Sequence, residues 1–505
     1  MITYFQNRLK CFVWLFIVAF SVGCQSPREE SDPAPYGPTP TTSQLKWHEM
    51  EMYCLIHFTP TTFQNKEWGF GDAPASLFNP PHFDANQIAE AAKSAGFGGL
   101  ITVAKHHDGF CLWPTKTTDY NISQSPWREG NGDMVQAFKE ATHQQDMLFG
   151  IYVSAWDRHD ADYGSEKYVE KYREQLRELY RGYGDLFISW HDGANGGDGY
   201  YGGDNEMRRI DRSNYYEWEE RTWPITRSMQ PSAVIFSDIG PDVRWVGNEN
   251  GSAPETSWAT FTPVGPDGGK AAPGHVDDQY LGSGQRDGEF WIPAECDVPL
   301  RPGWFYHPEE DQQVKTPQQL FDLYLKSVGR GAALNLGLAP TTDGILHPAD
   351  VASLNGFGEM LHATFETNLA IESQLTASNI RGGKSVKFDP KNLLDNDRYS
   401  YWATDDDAIS PELIIDLDSL QTFDLIRLRE NIKLGQRLDS VWVDSWHEGD
   451  WRPLAHVESV GANRIISLEK PITSKRLRLR LFAPVAIALS DFGLFKTAVI
   501  DYPAQ

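Results

Sequence analysis

The chain contains 505 residues, more than one ordinary domain core requires, so two or three domains are expected. Its 70 acidic and 45 basic residues give a formal net charge of −25, which opposes a polyanionic ligand and excludes nucleic acid as the expected partner. The 17 Trp, 20 Tyr and 26 Phe residues are equally compatible with an ordinary core and with stacking on sugars.

The first residues have the features of an export signal. Arg8 and Lys10 precede an apolar run, Cys11 to Gly23, that is too short for a comfortable membrane span, and Cys24 follows directly. This pattern is typical of a bacterial lipoprotein signal, but Ser21 stands where Leu is usual, so an ordinary secretory signal stays open. We expect an exported protein in the periplasm or on the outer-membrane surface, attached to the membrane only through a lipid on Cys24.

The segment after the signal is predicted to be a linker. Residues 25–44 are rich in Pro, Ser and Glu, a composition typical of a flexible tether. With residues 1–24 assigned to the signal, Cys54, Cys111 and Cys296 remain, an odd number without close spacing. Neither a disulfide framework nor a paired-cysteine zinc site is therefore indicated.

Between residues 45 and 364, short apolar runs recur, several separated by amphipathic stretches. The expected strands are 53–58, 99–104, 148–153, 186–190, 233–237 and 333–336. The expected helices are 84–95, 134–145, 166–183 and 316–328. Two weaker strands, 257–261 and 289–292, bring the count to eight. The pattern predicts an α/β fold, a (β/α)8-type barrel that is irregular along the Gly/Pro-rich stretch 240–302.

The remaining residues, 365–505, have a different pattern. Apolar and polar residues alternate in "LIIDLDS", "FDLIRLRE", "VWVDSWHE" and "RLRLRLF". This alternation predicts an antiparallel all-β sandwich with one buried and one solvated face. Arg476, Arg478 and Arg480 fall at alternate positions, which indicates the solvated face of a strand and not a basic binding patch.

Polar and aromatic side chains follow several of the expected barrel strands. They are His57, Lys105 to Gly109, Ser154, Trp156, Trp190, His191, Asp192 and Asp238. Because the carboxyl ends of parallel strands meet at one mouth of a barrel, these residues are predicted to share a site.

Three kinds of site are disfavoured at this mouth. Adjacent residues of a strand point to opposite faces, so His106 and His107 are not expected to hold one metal ion, and no His-x-His pair occurs. No Gly-rich loop with a lysine follows a strand, as a phosphate site would need. A G-x-S-x-G elbow for a nucleophilic serine is also missing. What remains is carboxylate chemistry in an aromatic pocket.

Asp192 suits such chemistry. Retaining glycoside hydrolysis uses one ionised carboxylate that attacks the anomeric carbon and one protonated carboxyl that donates to the leaving oxygen, about 5 Å apart. Asp192 ends an expected strand and precedes Gly193, so a sugar can approach it closely, while Trp190 offers an apolar wall. On these residues alone, the alternative that Asp192 only caps the next helix is equally open.

Five separated motifs occur in order between about residues 45 and 340. They are "IHF" with "EWG", "KHHDGF", "SAWD", "ISWHDG" and "RPGWFYH". Together they resemble glycoside hydrolase family 29, the α-L-fucosidases. The resemblance implies that Asp192, in the W-x-D-G element, is the nucleophile. It implies contacts to fucose hydroxyls from His57, Glu67, His106 and His107. It also implies a pocket wall of Trp68, Tyr152, Trp190 and Trp304.

The proton donor varies in position within that family. Glu249 lies in "DVRWVGNENG", which resembles the branch specific for α-1,3/1,4-linked fucose, where the Glu of a G-N-E element is the donor. Glu295 and Glu255 remain rivals for this role, and Arg244 and Glu295 are alternatively expected to contact the aglycone sugars. The chemistry implies a raised pKa for Glu249 when the pocket is occupied and a low pKa for Asp192.

Residues from about 376 to 496 resemble the discoidin sandwich, a galactose-binding-like jelly roll shared with carbohydrate-binding module family 32. Its stretch "NLLDNDRYSYWAT" matches a loop that often carries calcium in those domains, so Asp395 and Asp397 are implied as ligands of a structural calcium. A polar turn without metal is the open alternative. No cofactor is expected for catalysis.

The sequence thus predicts an exported, retaining α-L-fucosidase whose substrates are fucosylated oligosaccharides with α-1,3/1,4 branches of Lewis type. Two alternatives stay open. One is a broad fucosidase that accepts simple and α-1,2-linked fucosides, and the other is a glycan-binding surface lipoprotein whose barrel has lost catalysis. The presence of both Asp192 and a credible donor speaks against the second alternative.

Overall fold

The computed structural model describes residues 31–383 and 385–500, so the predicted signal and its acceptor Cys24 lie outside the described residues. The helices in this range are α1 (Thr42–Met50), α2 (Pro60–Phe63), α3 (Ala85–Ser94), α4 (Met134–Gln144), α5 (Glu166–Gly182), α6 (Trp223–Met229), α7 (Pro317–Lys326) and α8 (Pro348–Phe365). None of these described helices is long and apolar enough to cross a membrane.

The strands of the first part of the chain are β1 (Met52–Ile56), β2 (Gly99–Lys105), β3 (Leu148–Val153), β4 (Ile188–Trp190), β5 (Gly197–Gly199), β6 (Glu206–Arg208), β7 (Val234–Ser237), β8 (Val243–Trp245), β9 (Thr260–Phe261), β10 (Phe290–Trp291), β11 (Ala294–Pro299) and β12 (Ala333–Leu338). The strands after α8 are β13 (Gln374–Ala377), β14 (Trp402–Ala403), β15 (Glu412–Glu430), β16 (Ser440–His447), β17 (Asp450–Val457), β18 (Arg464–Phe482) and β19 (Ala488–Phe495).

Eight strands close into a parallel barrel in the order β1, β12, β11, β8, β7, β4, β3, β2. Residues of β1, β2 and β12 are buried along their whole length, as expected for parallel strands with both faces covered. The predicted α/β barrel is therefore confirmed. Its carboxyl ends form the mouth at which the strand-end side chains meet.

Two of the predicted barrel strands are wrong. The stretches 257–261 and 289–292 contain β9 and β10, which pair antiparallel with each other outside the barrel. Their places are taken by β8 and β11. These two strands carry ionisable side chains in a buried setting, Arg244 in the first and Glu295 in the second, which interrupted the apolar runs by which strands are recognised.

The four predicted helices are present as α3, α4, α5 and α7, each within two residues of its expected ends. Side chains cap three of them, with Asp84, Asp133 and Thr316 accepting from the first-turn N–H groups. The sequence did not predict α8, whose glycines lower helix propensity. Gly358 is needed there because a Cβ would lie 2.0 Å from the carbonyl oxygen of Ser94 at the end of α3.

The predicted flexible linker is wrong for its second half. The N–H of Tyr36 donates to the carbonyl of Leu434 at 3.0 Å, and Arg437 donates through Nη1 to the carbonyl of Ala34, also at 3.0 Å. Helix α1 then begins at Thr42. Composition did not reveal this, because the partners of the segment lie about 400 residues further along the chain.

The chain after α8 forms a seven-stranded antiparallel sheet domain in the order β14, β19, β15, β18, β16, β17, with β13 paired to β15. Along β18, Leu477, Leu479 and Leu481 are buried, and the arginines between them form ion pairs on the other face with Glu412, Asp416 and Asp444. The alternating pattern thus predicted correctly that the three arginines lie on the face of β18 opposite the buried leucines. The thiols of Cys54, Cys111 and Cys296 are free and buried.

Candidate active site

Three histidines meet at the mouth of the barrel. The ring centroids of His57 and His106 are 5.2 Å apart, and those of His106 and His107 are 4.1 Å apart. The expectation that the two adjacent histidines point to opposite faces is wrong, because β2 ends at Lys105 and its alternation stops there. Burial lowers the pKa of His57 and of His107 to about 3, so these rings are neutral.

The histidines keep hydrogen-bonding capacity free for a ligand. The Nδ1 atoms of His57 and His106 are buried and have no partner among the described residues. His107 uses Nδ1 on the hydroxyl of Ser154 at 2.7 Å, which leaves its Nε2 facing the pocket. Buried polar atoms without partners are rare in folded proteins, and neutral imidazoles that can donate or accept suit the hydroxyl groups of a sugar.

Asp192 follows β4 and lies among these histidines. Its Oδ2 accepts from the hydroxyl of Tyr152 at 2.8 Å and lies 3.6 Å from Nε2 of His107, while its Oδ1 accepts from the N–H of Ala194 at 2.6 Å. Burial raises the pKa of Asp192, and the two hydrogen bonds do not outweigh it. The expectation of a low pKa is therefore wrong for the free protein.

Aromatic rings surround the carboxylate. Trp190 stacks on Phe236 at 4.3 Å between centroids and lies 4.9 Å from Tyr152. Trp304 lies 5.1 Å from His57 on another side of the mouth. Trp68 is half exposed and meets His107 edge to face at 5.2 Å. Of the four residues expected as a pocket wall, Trp68, Tyr152 and Trp304 contact the histidines, and Trp190 lies behind Tyr152.

Glu67 fixes the loop that carries Trp304. Its carboxylate accepts from the N–H groups of Trp304 and Phe305, at 2.5 and 3.3 Å, and lies 3.2 Å from Nε2 of His307. The sequence assigned no role to His307, although it ends the "RPGWFYH" motif. The carboxylate of Glu67 therefore binds the loop of the pocket wall, and through this loop it fixes the position of Trp304 at the mouth.

Glu249 lies in the loop after β8 and is joined to the same wall. Its Oε2 accepts from Nε1 of Trp304 at 3.3 Å. Partial burial raises its pKa, and the negative charges of Asp192 and Glu67 raise it further. The direction agrees with the expectation for a proton donor. Glu249 is joined to the histidine cluster through Trp304, whose ring lies 5.1 Å from His57.

The structure corrects the expected roles of Arg244 and Glu295. Arg244 is fully buried, and its guanidinium donates to four backbone carbonyls, those of Leu281, Ile292, Trp258 and Gly282. It holds the irregular side of the barrel together and does not face the mouth.

Glu295 is also fully buried, beneath the pocket floor. Its Oε1 accepts from Nε1 of Trp190 and Nδ2 of Asn335, both at 2.9 Å, and its Oε2 accepts from the hydroxyl of Tyr53. Burial raises its pKa to about 7. With its oxygens engaged below Trp190, Glu295 contacts neither an aglycone nor a leaving group.

The third rival for the donor role lies elsewhere. The carboxylate of Glu255 forms ion pairs with Arg330 and, at 2.9 Å, with Arg464 of the sheet domain. Both guanidinium groups hold this carboxylate at the contact with the sheet domain, and no described hydrogen bond joins it to the pocket wall. Among the three candidate glutamates, only Glu249 combines a raised pKa with an exposed side chain in contact with the pocket wall.

Two further carboxyl groups lie near the mouth: Asp297, which the sequence did not single out, and the partly buried Asp238, which it placed at the mouth without a role. Asp297, in β11, accepts from Nε1 of Trp245 at 2.7 Å. Asp238, after β7, accepts through Oδ2 from the N–H of Gly274 at 2.8 Å, and its buried Oδ1 has no partner among the described residues. Burial and the charge of Asp192 raise the pKa of Asp238 to about 7. Its place at a strand end was the available signal.

The loop predicted to bind calcium is occupied by its own hydrogen bonds. Asp395 accepts from the N–H of Asp397 at 2.9 Å and from the hydroxyl of Ser400 at 2.6 Å, and Asp397 accepts from the N–H of Tyr399 at 2.9 Å. In residues 31–383 and 385–500, no three or more His, Cys, Asp or Glu side chains are grouped to hold a metal ion. Calcium binding by this loop, through side-chain or backbone oxygens of Asp395 and Asp397, stays a prediction.

A parallel barrel whose mouth combines a partly buried carboxylate, neutral histidines, aromatic walls and a second carboxyl of raised pKa is the arrangement of a glycoside hydrolase. Residues 36–366 match the profile of a family described as Alpha-L-fucosidase. The chain belongs to this family, glycoside hydrolase family 29.

Related proteins extend over both domains. Alpha-L-fucosidase 1 of Arabidopsis thaliana is 37% identical over 477 residues, which are 92% of this chain and 90% of the relative. A solved glycoside hydrolase 29 family member from an unknown rumen bacterium is similar with a TM-score of 0.81 at 34% identity, covering 93% of this chain and 79% of that chain. A Ruminococcus gnavus GH29 fucosidase in complex with fucose is similar with a TM-score of 0.82 at 29% identity, covering 93% and 97%.

Replacing Glu295 by Gln tests its assignment to the pocket floor. Gln keeps the shape and an acceptor for Trp190 and Asn335, and no leaving group depends on the lost acid. We expect kcat/KM on an oligosaccharide and on 4-nitrophenyl fucoside to change by the same factor. A loss confined to the oligosaccharide would make Glu295 the proton donor.

Replacing Asp238 by Asn tests its raised pKa through stability. A carboxyl with a folded pKa of about 7 and an unfolded value of 3.8 binds more protons in the folded state between these pH values, so it lowers the free energy of unfolding as pH rises through this window. Asn keeps the acceptor for Gly274 and removes the titration. We expect the Tm of the variant, relative to the native protein, to be higher at about pH 8 than at about pH 4; an unchanged difference would contradict the assignment.

Proposed function

We propose that this protein is a retaining α-L-fucosidase that releases α-1,3/1,4-linked fucose from branched glycans of Lewis type. The observation that carries the proposal is the pair Asp192 and Glu249. One carboxylate is oriented by Tyr152 and Ala194 among neutral histidines, and the second carboxyl, held by Trp304, has a raised pKa. The fucose bound to the similar Ruminococcus gnavus enzyme supports fucose as the sugar.

The proposed reaction has two displacements. An oxygen of Asp192 attacks the anomeric carbon and forms an ester as the glycosidic bond breaks, while Glu249 gives its proton to the leaving oxygen. Glu249, now ionised, then takes a proton from water, and the water oxygen replaces Asp192 on the anomeric carbon. Fucose leaves with net retention, and both carboxyl groups return to their starting states.

The surrounding groups support this reaction. Neutral histidines can bind sugar hydroxyls without stabilising Asp192 as a permanently paired anion, so the carboxylate stays reactive. Tyr152 holds Oδ2 in place during attack. The raised pKa of Glu249 keeps it protonated over a wider pH range, which the first displacement requires.

The linkage preference rests on the G-N-E element that carries Glu249. Its test compares kcat/KM on a Lewis trisaccharide with kcat/KM on 4-nitrophenyl fucoside. Strong preference for the simple fucoside would favour the broad fucosidase, and absence of turnover on both substrates would favour a barrel that only binds glycans.

We also propose that the protein is exported and carries a lipid on Cys24, and that its C-terminal domain is discoidin-like. The residues before Cys24 support the first proposal, and the antiparallel sheet supports the second. Cells that produce the protein are supplied with a labelled fatty acid. If the Cys24→Ala variant still incorporates the label, the proposed lipid attachment to Cys24 is wrong. A failed superposition of residues 374–495 on a discoidin domain would contradict the second proposal.

Replacing Glu249 by Ala tests the proton donor. An oligosaccharide leaves as a poor leaving group that needs a proton, whereas 4-nitrophenolate leaves without one. We expect kcat/KM on a Lewis trisaccharide to fall by about 10²- to 10⁴-fold and kcat/KM on 4-nitrophenyl fucoside to fall by less than about tenfold.

The kcat/KM values are compared because they report the first displacement, before the ester on Asp192 is hydrolysed. Azide, which attacks the ester without a general base, is expected to raise kcat of the Ala variant on the aryl fucoside. Equal losses on the two substrates, or no response to azide, would exclude Glu249 as the acid and base.

A further inference from the structure

The loop that carries Glu249 continues into a segment bound by the sheet domain. The acid loop, residues 246–252, follows β8, and residues 253 and 254 connect it to the anchor segment, residues 255–259. The acid loop begins in the barrel, where the N–H of Val246 donates to the carbonyl of Glu295 at 2.9 Å. The barrel also contacts its end, since a Cβ on Gly251 would lie 2.8 Å from a methyl carbon of Val298. The barrel side also binds the anchor segment: Trp258 donates its N–H to the carbonyl of Ser283 at 2.7 Å, and Ala259 accepts from the N–H of Ile292 at 2.8 Å. The bonds from the sheet domain act in addition to these.

Side chains of the sheet domain hold the anchor segment. Gln436 does so at two points, because its Oε1 accepts from the N–H of Ala259 at 2.9 Å and its Nε2 donates to the carbonyl of Ser257 at 3.2 Å. The hydroxyl of Ser459 accepts from the N–H of Ser257 at 3.2 Å.

Two further contacts extend this attachment toward the acid loop. Thr256 donates to Glu458 at 3.0 Å, and Glu255 pairs with Arg464 at 2.9 Å. The sheet domain therefore binds four of the five residues of the anchor segment.

The amide of Gln436 is itself fixed in place. Gln436 is buried, and its side chain packs on Gly461, which has a φ of +64° and where a Cβ would lie 3.0 Å from Nε2. An amide held in this way acts like a neighbouring strand, supplying one donor and one acceptor to the backbone of the anchor segment. Truncating it would leave the N–H of Ala259 and the carbonyl of Ser257 without these partners.

We propose that the sheet domain positions the general acid, with Gln436 as the positioning residue that holds the anchor segment and thereby keeps the carboxyl of Glu249 beside Trp304. The proposal rests on the proposed role of Glu249. It gives the C-terminal domain a part in the reaction that requires no sugar binding by that domain.

The test uses the full chain with Gln436→Ala and the matched control Asn368→Ala. Asn368 also bridges backbone groups through its amide, donating to Phe492 at 3.0 Å and accepting from Ala370 and Leu494, each at 3.0 Å, but it touches no residue of the acid loop or anchor segment. For each protein, kcat/KM is measured on a Lewis trisaccharide and on 4-nitrophenyl fucoside, together with the pH dependence on the trisaccharide.

Gln436→Ala is expected to lower kcat/KM on the trisaccharide by about tenfold and on the aryl fucoside by less than about twofold, because only the first needs a well-placed proton. The alkaline limb of its pH profile should shift, since the surroundings of Glu249 change. In Asn368→Ala, the ratio of kcat/KM on the trisaccharide to kcat/KM on the aryl fucoside should equal that of the native protein. A parallel loss on both substrates, or a native ratio in Gln436→Ala, would overturn the proposal.

The Glu249→Ala variant distinguishes a failure of the positioning proposal from a failure of the proposed function. If that variant shows no selective loss on the trisaccharide, Glu249 is not the acid, and both proposals are wrong. If it does and Gln436→Ala does not, only the positioning role is wrong. Should Gln436→Ala fail to fold, Gln436→Glu is read in its place, since it keeps the acceptor for Ala259 and loses the donor to Ser257.

Discussion

A carboxylate kept in a buried aromatic pocket without a paired cation is the constraint on which this site depends. Asp192 is held by one hydroxyl and one backbone N–H, and the nearest imidazole nitrogen belongs to a neutral ring. A lysine or arginine in that place would stabilise the anion and weaken it as a nucleophile. The environment instead orients the carboxylate without neutralising its charge. The groups that contact Asp192 are therefore uncharged.

The pocket floor shows how the barrel supports this constraint. Trp190, two residues before Asp192, donates a hydrogen bond to the buried Glu295, which also receives hydrogen bonds from Asn335 and Tyr53. Such a buried polar group is stable only when its partners are complete. Arg244 satisfies backbone carbonyls on the irregular side in the same way. Ionisable residues inside the barrel thus fix the walls, while those at the mouth are left free for chemistry.

Much of this could be predicted from local pattern. Apolar runs of β1 to β4 and the alternation along β18 gave the barrel and the antiparallel sheet, because burial imposes those periods. The pattern failed where long-range hydrogen bonds make ionisable residues compatible with burial, as in β8 and β11. For the site, strand ends and motifs brought Asp192 and the histidines together, but no local signal told that Arg244 and Glu295 point away from the mouth. Gln436, near the end of the chain, could not have been linked to residues 257 and 259 from sequence alone.

The central claim is that Asp192 forms the covalent bond to the sugar. A fluorinated fucosyl substrate that traps the ester, followed by peptide mass spectrometry, tests it most directly. The account predicts a single fucosyl label on Asp192. A label on any other residue, or enzyme that turns over fucosides but never acquires a label, would contradict it.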